Sequence, residues 1–217
     1  MKEKTGYPSI DRIHDNAYSY FKRNPIIPNM SIYNAIMLIN SFNKKINAIE
    51  CADLNINYNE LFNDAIIISR SFKELGIKKG DIITVCMPNT YQAVAIFLAA
   101  NRIGAITTFL NYRASDNEIK EYLNLFESPL FINYDKEQEY NEKIKKDTKV
   151  KQIITLSKDK LYNREFNTFS SSLIGYNDFI SYSDLANVAK YYKKIINPIQ
   201  SGKDDALILY TSGSSGN

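Results

Sequence analysis

The residue types best suited to chemistry stand together at the sequence Thr211-Ser212-Gly213-Ser214-Ser215-Gly216-Asn217. They follow an apolar run, Ala206-Leu207-Ile208-Leu209-Tyr210, which reads as a buried strand. Glycines let consecutive backbone N–H groups turn toward one anion, and hydroxyls add donors without adding bulk. A buried strand feeding a hydroxyl- and glycine-rich loop is therefore a way for a backbone to cradle phosphate oxygens. The loop lacks the spacing and the internal lysine of the GxxxxGK[ST] phosphate loop, so it is a cradle of another kind.

Other reactive side chains offer less. His14 is the only histidine and reads as a solvated helix residue rather than a general base. Asp204 and Asp205 precede the apolar run and could hold a metal near phosphate, but a turn leading into the strand explains them more simply. The two cysteines, Cys51 and Cys86, lie in apolar, strand-like surroundings with no metal spacing and are too few for a disulfide framework. They read as buried free thiols in a reducing cytosol. Tyr191-Tyr192, flanked by Lys190, Lys193 and Lys194, reads as a half-buried helix end rather than a lipid or nucleic-acid surface.

Composition bounds the possibilities. The chain has 217 residues, 44% hydrophobic and 24% charged, enough for one good-sized domain or part of a larger one. Its 27 basic and 24 acidic residues are interspersed and leave a net charge of only +3, which gives no electrostatic case for nucleic acid. The lysine-rich stretch from Lys143 to Lys151 also holds Asp147 and reads as a solvated helix face and turn. No basic start followed by an apolar core marks a signal peptide. The longest apolar run, near Ala93 to Ala100, is too short to span a membrane.

Strands and helices alternate along the chain. A helix is expected over Ser9 to Phe21, and Ser31 caps a second through about Phe42. Two short strands, Ala48 to Ala52 and Asn55 to Tyr58, flank a polar turn. The clearest helix runs from Asn59 to Leu75, with Gly76 as its left-handed stop and Ile77 closing over the end. Ile82 to Met87 has no polar alternation and reads as a strand buried on both faces. Thr90 caps a nearly all-apolar helix, Tyr91 to Ile103, and Ala105 to Leu110 is the next strand. Ser115 and Glu118 form a capping box for the helix that carries Ile119, Tyr122, Leu123 and Phe126. Strands follow at Leu130 to Asn133 and Gln152 to Leu156, with a charged helix between them from Lys136 to about Lys146. The stretch from Ser157 to Tyr176 reads as a surface loop, and Tyr182-Ser183-Asp184-Leu185 opens a short helix. The pattern predicts an α/β layered fold with a mainly parallel sheet flanked by helices. No internal repeat is present.

The order of these segments resembles that of adenylate-forming, AMP-binding enzymes. Ile56-Asn57-Tyr58-Asn59-Glu60-Leu61 is similar to their x-T-Y-x-E-L opening, and Gly76-Ile77-Lys78-Lys79-Gly80-Asp81-Ile82-Ile83 to their G-V-x-x-G-D-x-V segment. Met87-Pro88-Asn89-Thr90, Arg102-Ile103-Gly104-Ala105 and Leu110-Asn111-Tyr112-Arg113 with Glu118-Ile119 follow in the family's order. Tyr210 to Gly216 resembles the family's phosphate loop, Y-T-S-G-[ST]-[ST]-G-x-P-K. The resemblance covers roughly Ser31 onward and is nearest to acyl-CoA synthetases, the AMP-forming acid–thiol ligases.

The resemblance implies a two-step reaction. A carboxylate, fatty or other organic acid, attacks the α-phosphorus of ATP to give acyl-adenylate and pyrophosphate; coenzyme A then displaces AMP. Magnesium would bridge phosphate oxygens. Carried over by position, Thr211, Ser212, Gly213, Ser214, Ser215 and Gly216 would wrap the β- and γ-phosphates. No catalytic or metal-binding residue is carried over. Asn217 stands at the family's variable position, and the expected Pro and Lys do not follow it. The expectation is thus an N-terminal extension, 1–30, and an incomplete N-terminal part of an adenylation domain, 31–217, cytoplasmic and inactive by itself. Two alternatives stay open: a non-catalytic remnant serving as a binding or regulatory module, and an amino-acid-adenylating relative.

Overall fold

The computed structural model describes residues 29–51, 54–161, 163–164, 166, 179–194, 196 and 201–210. The helix expected over Ser9 to Phe21, His14 and most of the 157–176 stretch lie outside these residues. The first helix, α1 (Ile32–Ile39), begins where Ser31 Oγ accepts the Asn34 N–H. It ends earlier than expected, because the Asn40 N–H and its side-chain amide both donate to the Ile36 carbonyl and close the last turn. Strands β1 (Asn47–Cys51) and β2 (Leu54–Asn57) pair antiparallel as a separate hairpin.

Helix α2 (Tyr58–Glu74) starts with a reciprocal box. Asn57 Oδ1 accepts the Glu60 N–H, and Glu60 Oε2 accepts the Asn57 N–H, each at 3.0 Å. Ala65, Ile68 and Phe72 form a fully buried stripe. At the far end Gly76 adopts φ 84°. The Ile77 N–H reaches back to the Phe72 carbonyl at 2.9 Å, and the Gly76 N–H reaches Lys73 at 3.2 Å. This is the two-bond left-handed cap that the glycine's position predicted.

Among the described residues the main sheet has six parallel strands: β3 (Ile82–Cys86), β4 (Ile106–Phe109), β5 (Leu130–Tyr134), β6 (Gln152–Leu156), β7 (Phe179–Ser181) and β8 (Leu207–Ile208). Their spatial order is β7-β6-β5-β3-β4-β8. Helices α3 (Tyr91–Ile103), α4 (Asp116–Leu125), α5 (Gln138–Asp147) and α6 (Leu185–Ala189) follow β3, β4, β5 and β7. Two cores lie on opposite faces. One joins α2, α3 and α6 to Ile83, Val85, Leu130, Ile132 and Ile154. The other joins Ile119 and Leu123 of α4 and Ile144 of α5 to Cys86, Phe131 and Ile153. Alternate residues of the central strands thus face opposite cores, which is why those strands read as continuous apolar runs.

Four expectations need correction. Thr90 stands at the N-cap of α3, but its hydroxyl makes no capping bond. Ser115 accepts the Glu118 N–H, while the reciprocal half of that box does not form. Helix α3 is not buried all round: Val94 is 40% exposed because that side faces an open cleft. The apolar run from Ala206 is not an inner strand but a two-residue edge strand, and Leu209 and Tyr210 beyond it are exposed. The three-residue β7 was absent from the sequence reading, since Phe179-Ile180-Ser181 is too short for alternation to show.

Candidate functional site

All six strands run parallel, so every strand-to-loop exit that could carry a site opens on one edge of the sheet. The chain moves from β3 outward to β4, then crosses back to β5 and continues to β7. The topological switch lies between β3 and β5, the default ligand crevice of such a sheet. Beside it lies an open cleft of about 790 Å³, lined by Asp116, Asp135, Lys136, Glu139, Tyr140 and Lys143 among others. Charges of both signs alternate there, and Lys136 sits 4.6 Å over the Tyr140 ring. That mixture selects neither anion nor cation.

Strand β8 exits on the same edge. It pairs in parallel with β4, Thr107 opposite Leu207 and Thr108 opposite Ile208, and the Thr107 N–H donates to the Ala206 carbonyl at 3.1 Å. Tyr210, next in line, meets the Tyr122 ring of α4 edge-on at 4.5 Å. Leu207 and Leu209 point to the other face, where they border a cleft. The chain is thus held on both faces of the sheet up to the point where Thr211 follows. Thr211, Ser212, Gly213, Ser214, Ser215 and Gly216 themselves, with Asn217, lie outside the described residues.

The cleft measures about 550 Å³. Its walls come from the β1–β2 hairpin (Ile49), from α3 (Val94, Phe97), from β4 (Phe109) and from the β8 segment. Asn89 and Thr90, where β3 turns into α3, also line it.

Asp204 precedes β8 and so lies toward the opposite edge from the loop. It accepts Lys79 Nζ at 2.7 Å and the Ser201 N–H at 3.1 Å. Those bonds hold its carboxyl below the usual carboxylate range. These bonds hold it in the turn that leads into β8. Among the described residues, no three His, Cys, Asp or Glu side chains gather where a metal ion could bind. Cys86 is buried and free, and desolvation pushes its thiol up to about 11. Cys51 is also free but only half-buried, since it borders the cleft. Tyr191 is exposed beyond the end of α6, and the Tyr192 carbonyl accepts Arg70 Nη2 at 2.7 Å.

Two polar clamps escaped the sequence reading. Arg164 bonds Asp64 through Nε at 2.8 Å and Nη2 at 3.0 Å, with Glu60 alongside. Gln92, fully buried in the first turn of α3, donates to the Lys160 and Leu161 carbonyls at 3.1 and 2.9 Å. Together they strap the segment after β6 across α2 and α3. One signal was available: Asp64 sits among Leu61, Ala65 and Ile68 on the apolar stripe of α2, where an unpaired carboxylate could not remain.

Comparison with known proteins settles the family. The model of the AMP-binding enzyme family matches residues 41–217. The chain belongs to the AMP-binding enzyme family. It is 30% identical over 165 residues to the acetyl-coenzyme A synthetase of Coprinopsis cinerea, a match covering 74% of this chain and 24% of that one. It is 28% identical over 168 residues to acetyl-coenzyme A synthetase 1 of Saccharomyces cerevisiae, covering 75% and 23%. The chain thus spans about a quarter of the length of these relatives. Among solved structures, the anthranilate CoA ligase AuaEII superposes with a TM-score of 0.67 at 16% identity, over 88% of this chain and 34% of that one. The Mycobacterium tuberculosis fatty acyl CoA synthetase superposes at 0.61 and 18% identity, over 84% and 32%. At such identities these superpositions establish the fold of this AMP-binding chain. Among its described residues, no helix is long and apolar enough to cross a membrane.

Proposed function

We propose that this chain is the N-terminal portion of an ATP-dependent acid–thiol ligase acting in the cytoplasm. In this reading, residues 31–217 are the first part of an adenylation domain and residues 1–30 extend it. A carboxylate oxygen of the acid attacks the α-phosphorus of ATP; the new O–P bond forms as the bond to pyrophosphate breaks. The sulfur of coenzyme A then attacks the acyl carbon, and AMP leaves. The loop Thr211, Ser212, Gly213, Ser214, Ser215 and Gly216 would wrap the β- and γ-phosphates, with hydroxyls from Thr211, Ser214 and Ser215 and close backbone approach at the glycines. Magnesium, when bound, would neutralise charge on the phosphate oxygens.

The observation that supports this reading is the parallel pairing of β8 with β4 in an AMP-binding chain, by which β8 runs toward the carboxyl edge of the sheet. The test is pyrophosphate release by the complete protein with ATP, coenzyme A and a panel of aliphatic, aryl and amino acids. Acid-dependent release with thioester formation is expected. Release with amino acids alone would move the protein to the amino-acid-adenylating relatives. ATP binding without release for any acid would leave a binding or regulatory module. The 217 residues alone are expected to turn over no ATP.

A further inference from the structure

The outer side of α1 is apolar where a surface helix is ordinarily polar. Its inner side is accounted for. Tyr33 is buried, its N–H donates to Asn101 Oδ1 of α3 at 2.8 Å, and Arg102 lies 5.7 Å over its ring. Ile36 packs against the same core. Leu38 and Ile39, by contrast, are 60% and 74% exposed. The chain then turns tightly toward β1. The Ser41 N–H donates to the Leu38 carbonyl, Asn43 to Asn40 and Ile46 to Asn43. Phe42, in the middle of these turns, is 97% exposed, and Ile46 is 56% exposed. Four large apolar side chains thus project from one short corner, residues 38–46. Single exposed apolar residues need no explanation, but a contiguous group marks a surface that something covers.

Charge narrows the choice of partner. Helix α1 carries no charged residue, and the corner's only charged side chains are Lys44 and Lys45, both exposed. No Asp or Glu stands between Asp15 and Glu50, whereas Lys22, Arg23, Lys44 and Lys45 do. At the chain's average of 24 acidic residues in 217, positions 16–49 would hold about four. The carboxylates that follow are engaged: Glu50 accepts Asn47 Nδ2 at 3.3 Å, and Glu60 binds the Asn57 N–H and Arg164. Lysines beside an apolar tip match a partner that is anionic outside and apolar within. Shape narrows the choice further. A side chain with nearly its whole surface in solvent would need a ready-made pocket on a rigid protein, whereas a fluid lipid layer closes round a projection without one.

We propose that this corner docks the protein on the surface of an anionic lipid bilayer. Leu38, Ile39, Phe42 and Ile46 enter the acyl boundary, and Lys44 and Lys45 stay at the level of the lipid phosphates. The chain lies on such a surface through this corner and is not threaded through it. The inference is independent of the ligase reading, since it uses neither the sheet's carboxyl edge nor any nucleotide.

The chain has no tryptophan, so Phe42→Trp places a single indole at the tip. In the 217-residue chain at low ionic strength, its emission should be that of a solvated indole. It should shift to the blue with vesicles of phosphatidylcholine containing about one-third phosphatidylserine. Vesicles of phosphatidylcholine alone should bind at least about tenfold more weakly, and added salt should narrow the difference. In co-sedimentation with the anionic vesicles, Phe42→Ser should weaken binding about tenfold. Lys44→Ser combined with Lys45→Ser should do the same. Leu125→Ser, on α4 and as exposed as Leu38, should leave binding unchanged. All four positions are exposed, so the variants should fold. An indole already shifted to the blue without vesicles shows that another part of the chain covers the corner. A shift that grows with protein concentration shows a second copy there. Either result overturns the proposal, as does emission unmoved by anionic vesicles, equal binding to both lipids, or an equal loss in Leu125→Ser.

Discussion

Arg164 grips Asp64 across a sequence gap of 100 residues, two nitrogens to two oxygens at 2.8 and 3.0 Å. The pair ties the strap after β6 to the middle of α2. Asp64 is almost wholly buried while Arg164 is about one-third exposed. Burial therefore outweighs the guanidinium, and the Asp64 carboxyl rises from 3.8 to about 6. In the folded protein the proton is bound more tightly than in the unfolded chain. The contribution is fully present below the unfolded value and is lost as pH rises through 6, so stability drops across pH 4 to 6. Asp64→Asn carries no such titration. The stability of the variant relative to the native chain should rise by up to about 3 kcal/mol between pH 4 and pH 7. Urea unfolding at both pH values measures it; a difference independent of pH refutes it.

Gln92 holds the same strap from the other side. Its side-chain amide serves the Lys160 and Leu161 carbonyls, with Leu161 itself buried. Gln92→Leu fills nearly the same volume and leaves those carbonyls unpaired, at a cost of about 1 to 3 kcal/mol. The loss should be local first. Limited proteolysis at Lys160 should accelerate in the variant before global unfolding does. Unchanged cleavage would mean that packing of Leu161 alone holds the strap.

The contrast between these clamps and the rest of the fold explains what sequence could reveal. The spans of α2, α3, β3 and β6 were legible because burial is periodic there and glycines at 76 and 104 mark the stops. The motif order likewise pointed to the family that the match over residues 41–217 establishes. The edge position of β8 was not legible. An apolar run predicts burial, but Leu207, Leu209 and Tyr210 are exposed because no described strand lies outside β8. Nor was the uncapped start of α3 legible, since a threonine before an apolar helix reads as a cap until its oxygen is seen to lack a partner. Arg164 lay in a stretch without period, where only a partner 100 residues away gives it meaning.

Gly76 offers a test of backbone strain separate from crowding. Its φ is 84°, and a Cβ built there would meet nothing within 4 Å. Gly76→Ala should cost about 1 to 2 kcal/mol from conformation alone, and Gly76→Asn less, because asparagine tolerates the left-handed region. A lower urea midpoint at unchanged slope is the expected reading. Equal stability of all three chains would show that the loop relaxes out of the left-handed conformation at no cost.

Strand β8 can be detached by one imino acid and not by its neighbour. In the parallel register, Thr107 opposes Leu207 and donates to the Ala206 carbonyl. The evenly slanted ladder then directs the Ile208 N–H at the Thr107 carbonyl and the Leu207 N–H away from β4. Proline removes a donor, so its effect depends on which of the two positions it takes. Ile208→Pro should break the pairing, and the Thr107 amide should exchange with solvent at least about tenfold faster, the equivalent of one net hydrogen bond. Leu207→Pro should leave that amide protected. Because β8 is what brings Tyr210 onto Tyr122, Ile208→Pro should also free the Tyr122 ring, visible as a shift in its proton resonances. If both prolines release Thr107 equally, the register is not what holds the strand, and the support that β8 lends to the proposed function is lost.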